Sequence, residues 1–116
     1  MKIKNYSVKG NVSIIVPSEN TFRADTASVL NFIKELKNLE SFFIVDMGNI
    51  SHIDSNCINT LLGCKRYLRN KNIDFAICNL QKGPQIVLEI TRAYEVLDVC
   101  DNHWLENNED LAHKAA

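Results

Sequence analysis

Apolar positions along this chain alternate between short continuous runs and stripes of three-to-four-residue spacing, a mixture of strand and helix signals. Residues 3–8 alternate weakly, Lys9-Gly10-Asn11 has the composition of a turn, and 12–16 is a β-branched run closed by Pro17. Together they predict a hairpin. Residues 18–24 read as a loop. Asp25 is placed to cap a helix over about 26–38, in which Val29, Leu30, Ile33 and Leu36 recur at helical spacing. Phe42-Phe43-Ile44-Val45 is a continuous apolar run stopped by Asp46 and Gly48. Such a run marks a strand covered on both faces, hence central and parallel to a neighbour.

The second half repeats the alternation. Ile50-Ser51-His52-Ile53-Asp54-Ser55 leads into a helix over about 56–70, where Ile58, Leu61, Leu62 and Leu68 form one stripe. Lys65, Arg66 and Arg69 are left to its other side, late enough to complement the helix dipole. After a turn at Lys71-Asn72, Phe75-Ala76-Ile77-Cys78 predicts another buried strand. Gly83-Pro84 opens a third helix with proline in its first turn, carrying Ile86, Val87 and Ile90. Residues 94–100 form a short apolar return with a final strand near 96–100, and the tail from Asn107 suits a last, polar helix. The order β-β-α-β-α-β-α-(β)-α predicts an α/β fold: a mixed sheet, parallel in its centre, with an N-terminal hairpin and about four helices packed on it.

At 116 residues the chain suits one domain spanning 1–116, and 46% apolar with 23% charged residues is ordinary for a folded one. The net charge of −1 lacks the basic balance of a nucleic-acid domain, but it is unevenly spread. Residues 1–88 carry eleven bases and seven acids; 89–116 carry two bases and seven acids. The acidic end reads as a solvated face or a steering surface for a partner. No stretch approaches the roughly 18 apolar residues of a membrane span, and the N-terminus lacks a secretion signal, so a cytoplasmic location is expected. Cys57, Cys64, Cys78 and Cys100 form no Cys-x-x-Cys pair and no zinc spacing. Two helical turns would hold Cys57 and Cys64 about 10 Å apart, too far for a disulfide, so reduced, mostly buried thiols are expected. No metal or cofactor is implied.

The chemistry concentrates between Phe43 and Ile58. A buried strand ends in Asp46, a short connection follows, and Asp54-Ser55 opens an amphipathic helix. The Ser55 hydroxyl can cap the first helix amides. It can equally accept a phosphate, which those amides and the dipole would stabilise while Asp54 repels it. Asp46 can hold the turn that follows it by hydrogen bonds. Read instead as a receiver phosphoacceptor, it would need an early acidic pair and a late lysine, for which the sequence offers only Glu19 and Lys82. A Cys57/His52 thiol site is the remaining enzymatic reading, resting on a thiol at a helix N-terminus. No His-Glu-x-x-His, Gly-x-Ser-x-Gly or phosphate-cradling Gly-x-x-x-x-Gly-Lys run is present.

Ile44-Val45-Asp46-Met47 followed by Ile53-Asp54-Ser55-Asn56-Cys57-Ile58 resembles the signature of STAS domains, a V-L-D-L strand and an I-D-S-S-G-L helix opening. The resemblance extends over about 12–100 and includes Gln85-Ile86-Val87-Leu88-Glu89-Ile90-Thr91, similar to the family's V-x-x-x-L-x-x-T/S-G-L helix. It implies a non-enzymatic module of the anti-sigma-factor-antagonist type. Its partner would be an anti-sigma factor that is itself a serine kinase, and Ser55 would be the serine it phosphorylates. The implied docking surface combines residues 18–25, including Asn20 and Asp25, with Asp54, Ser55, Asn56 and Cys57 and the exposed face of the second helix. Asn56 and Cys57 replace the family's Ser-Gly, and Pro17-Ser18-Glu19-Asn20 replaces its G-E-L-D, with Asn20 in the aspartate's place. The alternative within the same family is a scaffold subunit of a signalling or transport complex that is never phosphorylated.

Overall fold

A computed structural model describes residues 6–19, 22, 27–37 and 39–100. The hairpin forms as expected: β1 (Tyr6–Lys9) pairs antiparallel with β2 (Val12–Ile15) across Gly10, whose φ of 63° favours a residue without a side chain. Helix α1 (Ala27–Glu35), strand β3 (Phe42–Asp46), helix α2 (Ser55–Arg69), strand β4 (Asp74–Cys78) and helix α3 (Lys82–Thr91) follow, then a 3₁₀ turn over Ala93–Glu95. Strand order is β1-β2-β3-β4, with β2–β3 and β3–β4 parallel. The Phe42–Val45 run therefore lies centrally, as its unbroken hydrophobicity predicts. The final strand is reduced to a single parallel bridge between Ile77 and Val99, held by Ile77 N–H to Asp98 O and Cys100 N–H to Ile77 O. The expected fourth helix, from Asn107, and the Asp25 cap lie outside the described residues.

Side chains alternate across the sheet. Ile15, Phe43, Val45, Phe75 and Ile77 share one core with Val29 and Ile33 of α1, Leu61, Cys64 and Leu68 of α2, and Leu88 of α3. Val12, Ile14, Ile44 and Cys78 form a smaller cluster on the other face, with Val16, Phe42 and Cys100 against it. Gly63 brings α2 close to α1: a Cβ there would stand 3.2 Å from Leu30 Cδ2.

Helix α3 departs from the expected stripe. Pro84 and Leu88 are its buried positions and Val87 is half-buried, whereas Ile86 and Ile90 are exposed, Ile90 to 76%. The helix ends on Arg92 in the left-handed region (φ 60°, ψ 21°). There a side chain costs about 1 kcal/mol that glycine would not.

Candidate functional site

The connection from β3 to α2, residues 47–54, is held from three directions. On the β4 side, Asp46 Oδ1 accepts from Gly48 N–H (2.8 Å) and Oδ2 accepts from the Asn79 side-chain amide (3.0 Å). Asn79 reaches it from a left-handed backbone (φ 56°), a conformation asparagine tolerates. Gln81 Nε2 donates to Gly48 O at 2.7 Å. The segment after β2, expected to be a loop, is helical at Glu19 and Phe22, with Phe22 N–H donating to Ser18 O at 3.0 Å. From it, Glu19 Oε1 accepts from Ser51 N–H (3.1 Å), His52 N–H (3.2 Å) and the Ser51 hydroxyl. That hydroxyl has one proton and gives it to the carboxylate, so His52 Nδ1, 2.8 Å away, donates to Ser51 Oγ. From α3, Gly83 approaches so closely that a Cβ on it would lie 2.5 Å from Ser51 O. Ile50 and Ile53 are buried beneath.

The three bonds from Ser51 and His52, the Ser51 hydroxyl foremost, hold the Glu19 carboxyl below its ordinary value of 4.5. A depressed folded-state pKa stabilises the fold above the unfolded value, and that contribution is lost as pH falls through the folded one. Acidification from pH 7 to below 4.5 should therefore lower the thermal midpoint of the wild type slightly more than that of Glu19→Gln. The effect is small because solvent screens a carboxylate at this exposed site. Equal acid sensitivity of the two proteins in paired melts would show that the tie does not depend on charge.

At the start of α2 the capping residue is Asp54, not Ser55. Asp54 has extended backbone (φ −125°, ψ −174°), and its Oδ1 accepts from Cys57 N–H at 3.0 Å. Its carbonyl takes the first helical bond, from Ile58 N–H at 3.2 Å. Asp and Ser cap about equally well, and the cap expected at Ser55 falls on its neighbour instead. Ser55 becomes the first helical residue, and its side chain is exposed, as are those of Asp54 and Asn56. These three share one surface.

Cys57 does not belong to that surface. Its side chain is fully buried in the main core, with the thiol 4.0 Å from the Phe22 carbonyl oxygen. The bulk added where the family has glycine points inward, away from Ser55. Burial pushes the Cys57 thiol up to about 11 and those of Cys64 and Cys78 to about 12, outweighing the helix N-terminus. Cys57 is thus protonated at neutral pH, the opposite of what a thiol nucleophile needs. None of the four cysteines is in a disulfide. Both Asp46 oxygens are committed to the turn and to Asn79, which supports its structural role over that of a phosphoacceptor. Among the described residues, no three His, Cys, Asp or Glu side chains gather as a metal site requires, and no helix is long and apolar enough to cross a membrane. Asn20 and Asp25 lie outside the described residues.

Sequence reasoning overlooked Glu19 as a tether and Asn79 and Gln81 as props. Only the pairing of distant segments brings them to the connection, and no local pattern marks them.

The fold is shared with several solved structures. A sulfate transporter family protein from Wolinella succinogenes superposes with a TM-score of 0.75 at 16% identity, covering 94% of this chain and 90% of that one. RsbS from Moorella thermoacetica, in a form with a serine-to-glutamate substitution, gives 0.65 at 13% identity over 92% and 97%. SLC26A9 gives 0.57 at 16% identity; the match covers 90% of this chain and 21% of that one. No curated protein matches the sequence. A family model, described as the STAS domain, matches residues 5–112.

Proposed function

The chain belongs to the STAS domain family, and from that membership we propose that it is a non-enzymatic binding module of the anti-sigma-factor-antagonist kind, switched by phosphorylation of Ser55. The observation that carries this reading is the exposure of Ser55 on the first turn of α2, relieved of capping duty by Asp54. A serine used as the cap would have its oxygen occupied by a helix amide. Ser55 presents its hydroxyl to solvent, directly after a connection held by Glu19 and Asp46.

Phosphorylation would add about two negative charges beside a carboxylate that its own capping bond keeps in place. Asp54 already occupies Cys57 N–H, so the phosphate cannot take that amide without displacing the cap. The added charge stays at the surface, where it opposes a partner docked over Asp54, Ser55 and Asn56. A tenfold shift requires only about 1.4 kcal/mol of differential binding. The partner in this reading is an anti-sigma factor with serine-kinase activity, and the setting is the cytoplasm.

Pull-downs from native lysate with wild type, Ser55→Ala and Ser55→Asp test the proposal, with phosphosites mapped by mass spectrometry. Wild type and Ser55→Ala should retain a kinase-like anti-sigma factor that Ser55→Asp loses by tenfold or more. Equal capture by all three, with Ser55 unmodified after incubation with ATP and the captured partner, would sink the switch and leave a constitutive scaffold subunit.

A further inference from the structure

The other end of α2 carries a second feature. Leu62, Lys65, Arg66 and Arg69 form one wall of a cleft of about 360 Å³; Glu95 and Val96, at the end of the 3₁₀ turn, form the other. Lys65 Nζ donates to Val96 O and so ties the two walls together. Glu95, the acid in the cleft, is already paired with Arg92, whose Nη2 and Nε lie 2.6 and 3.1 Å from its Oε1. Arg66 and Arg69 are exposed and make no ion pair among the described residues. Val96, on the opposite wall, is half exposed. Part of this charge serves the helix, since cations in its last turns complement the dipole. Dipole complementation does not account for the apolar side chains, Leu62 and Val96, that the two walls of the cleft contribute beside those cations.

We propose that this cleft is an interaction surface for an acidic segment of a partner protein, with one apolar side chain seated between Leu62 and Val96 and flanking carboxylates on Arg66 and Arg69. Charge complementarity selects the acid. Guanidinium groups bind carboxylates through two parallel bonds, which gives orientation as well as attraction. The concave apolar strip selects a side chain over a flat anionic surface. Eleven residues, about 16 Å of helix, separate Arg66 from Ser55; the cleft lies on the helix whose exposed face the resemblance assigns to docking, but its residues are tested apart from the Ser55 switch.

The probe is a short blocked peptide in which glutamates flank one central leucine, titrated into isotopically labelled full-length protein and followed by amide chemical shifts. Shifts should concentrate in the second half of α2 and at residues 93–96. Affinity should fall about tenfold or more in Arg66→Glu/Arg69→Glu and by a similar factor when serine replaces the peptide leucine, and it should weaken as salt is raised. Both arginines are exposed, so the variant should fold, and its circular dichroism checks this. The peptide substitution gives an independent reading if it does not. No shifts, shifts elsewhere, or equal binding of the serine peptide would overturn the proposal. So would binding of phosphatidylserine vesicles through the same residues without peptide binding, which would assign the surface to a membrane.

Discussion

Gly83→Ala should destabilise the protein by about 2 kcal/mol, although the same change at an ordinary helix position is favourable. Alanine is preferred over glycine inside a helix by about 0.5–1 kcal/mol. Gly83 lies in the first turn of α3, and no left-handed backbone there calls for glycine. Space decides the sign. A Cβ would stand 2.5 Å from Ser51 O, a backbone atom with no rotamer by which to retreat. Either α3 or the 47–54 connection must move, and overpacking of this kind costs roughly 1–3 kcal/mol. Gly63→Ala is the control, because the atom it meets is the flexible end of Leu30 at 3.2 Å. Urea melts should show a lower midpoint at unchanged slope for Gly83→Ala and a loss below about 1 kcal/mol for Gly63→Ala. If Gly83→Ala is as stable as wild type, the approach of α3 to Ser51 does not constrain the connection.

The largest loss should come from Phe43→Ala. Phe43 is fully buried in the centre of β3, on the face that packs against α1, α2 and α3. It stands in register with Ser13 of β2 and Phe75 of β4, so its ring fills the middle of the sheet. Truncating a buried phenylalanine costs roughly 3–5 kcal/mol through lost transfer energy and the remaining cavity. Domains of this size have about 5–15 kcal/mol in total, so the thermal midpoint should fall by more than about 10 °C. Phe43→Leu should recover most of it. A midpoint within a few degrees of wild type in calorimetry would mean that the surrounding side chains collapse into the space, and that β3 is not the centre of the core.

Both predictions rest on features of unequal visibility in the sequence. The unbroken run Phe42-Phe43-Ile44-Val45 announces a strand buried on both sides, because partial exposure would have left a polar residue at every second position. Helix α2 is legible for the complementary reason: its stripe ends in a cluster of bases. Helix α3 is harder to orient. Pro84, Ile86, Val87, Leu88 and Ile90 surround much of its circumference, so periodicity alone allows more than one inward face. The packing chooses Pro84 and Leu88. At the candidate site the Asp-Ser step was legible, but the division of labour within it was not, since either residue can cap. The tie from Glu19 to Ser51 spans 32 residues. The close approach of Gly83 spans as many, and such relations exist only once the strands have paired.

The strands stand in the sheet in the order in which they occur along the chain, which bears on how the protein emerges from a ribosome. Each strand finds its partner already synthesised and joins the free edge of a growing sheet, so none must open an existing pair to insert. Once Arg69 has emerged, β1 and β2 have all their neighbours and β3 has one, and α1 and α2 can cover the face carrying Phe43. Strand β4 then adds to the edge, and the Asp46, Asn79 and Gln81 bonds close the connection beneath Ser55 only after residue 81 has appeared. The connection beneath the surface proposed to meet a kinase is thus closed only late in synthesis, when α3, which supplies Leu88 to the same core, is about to follow.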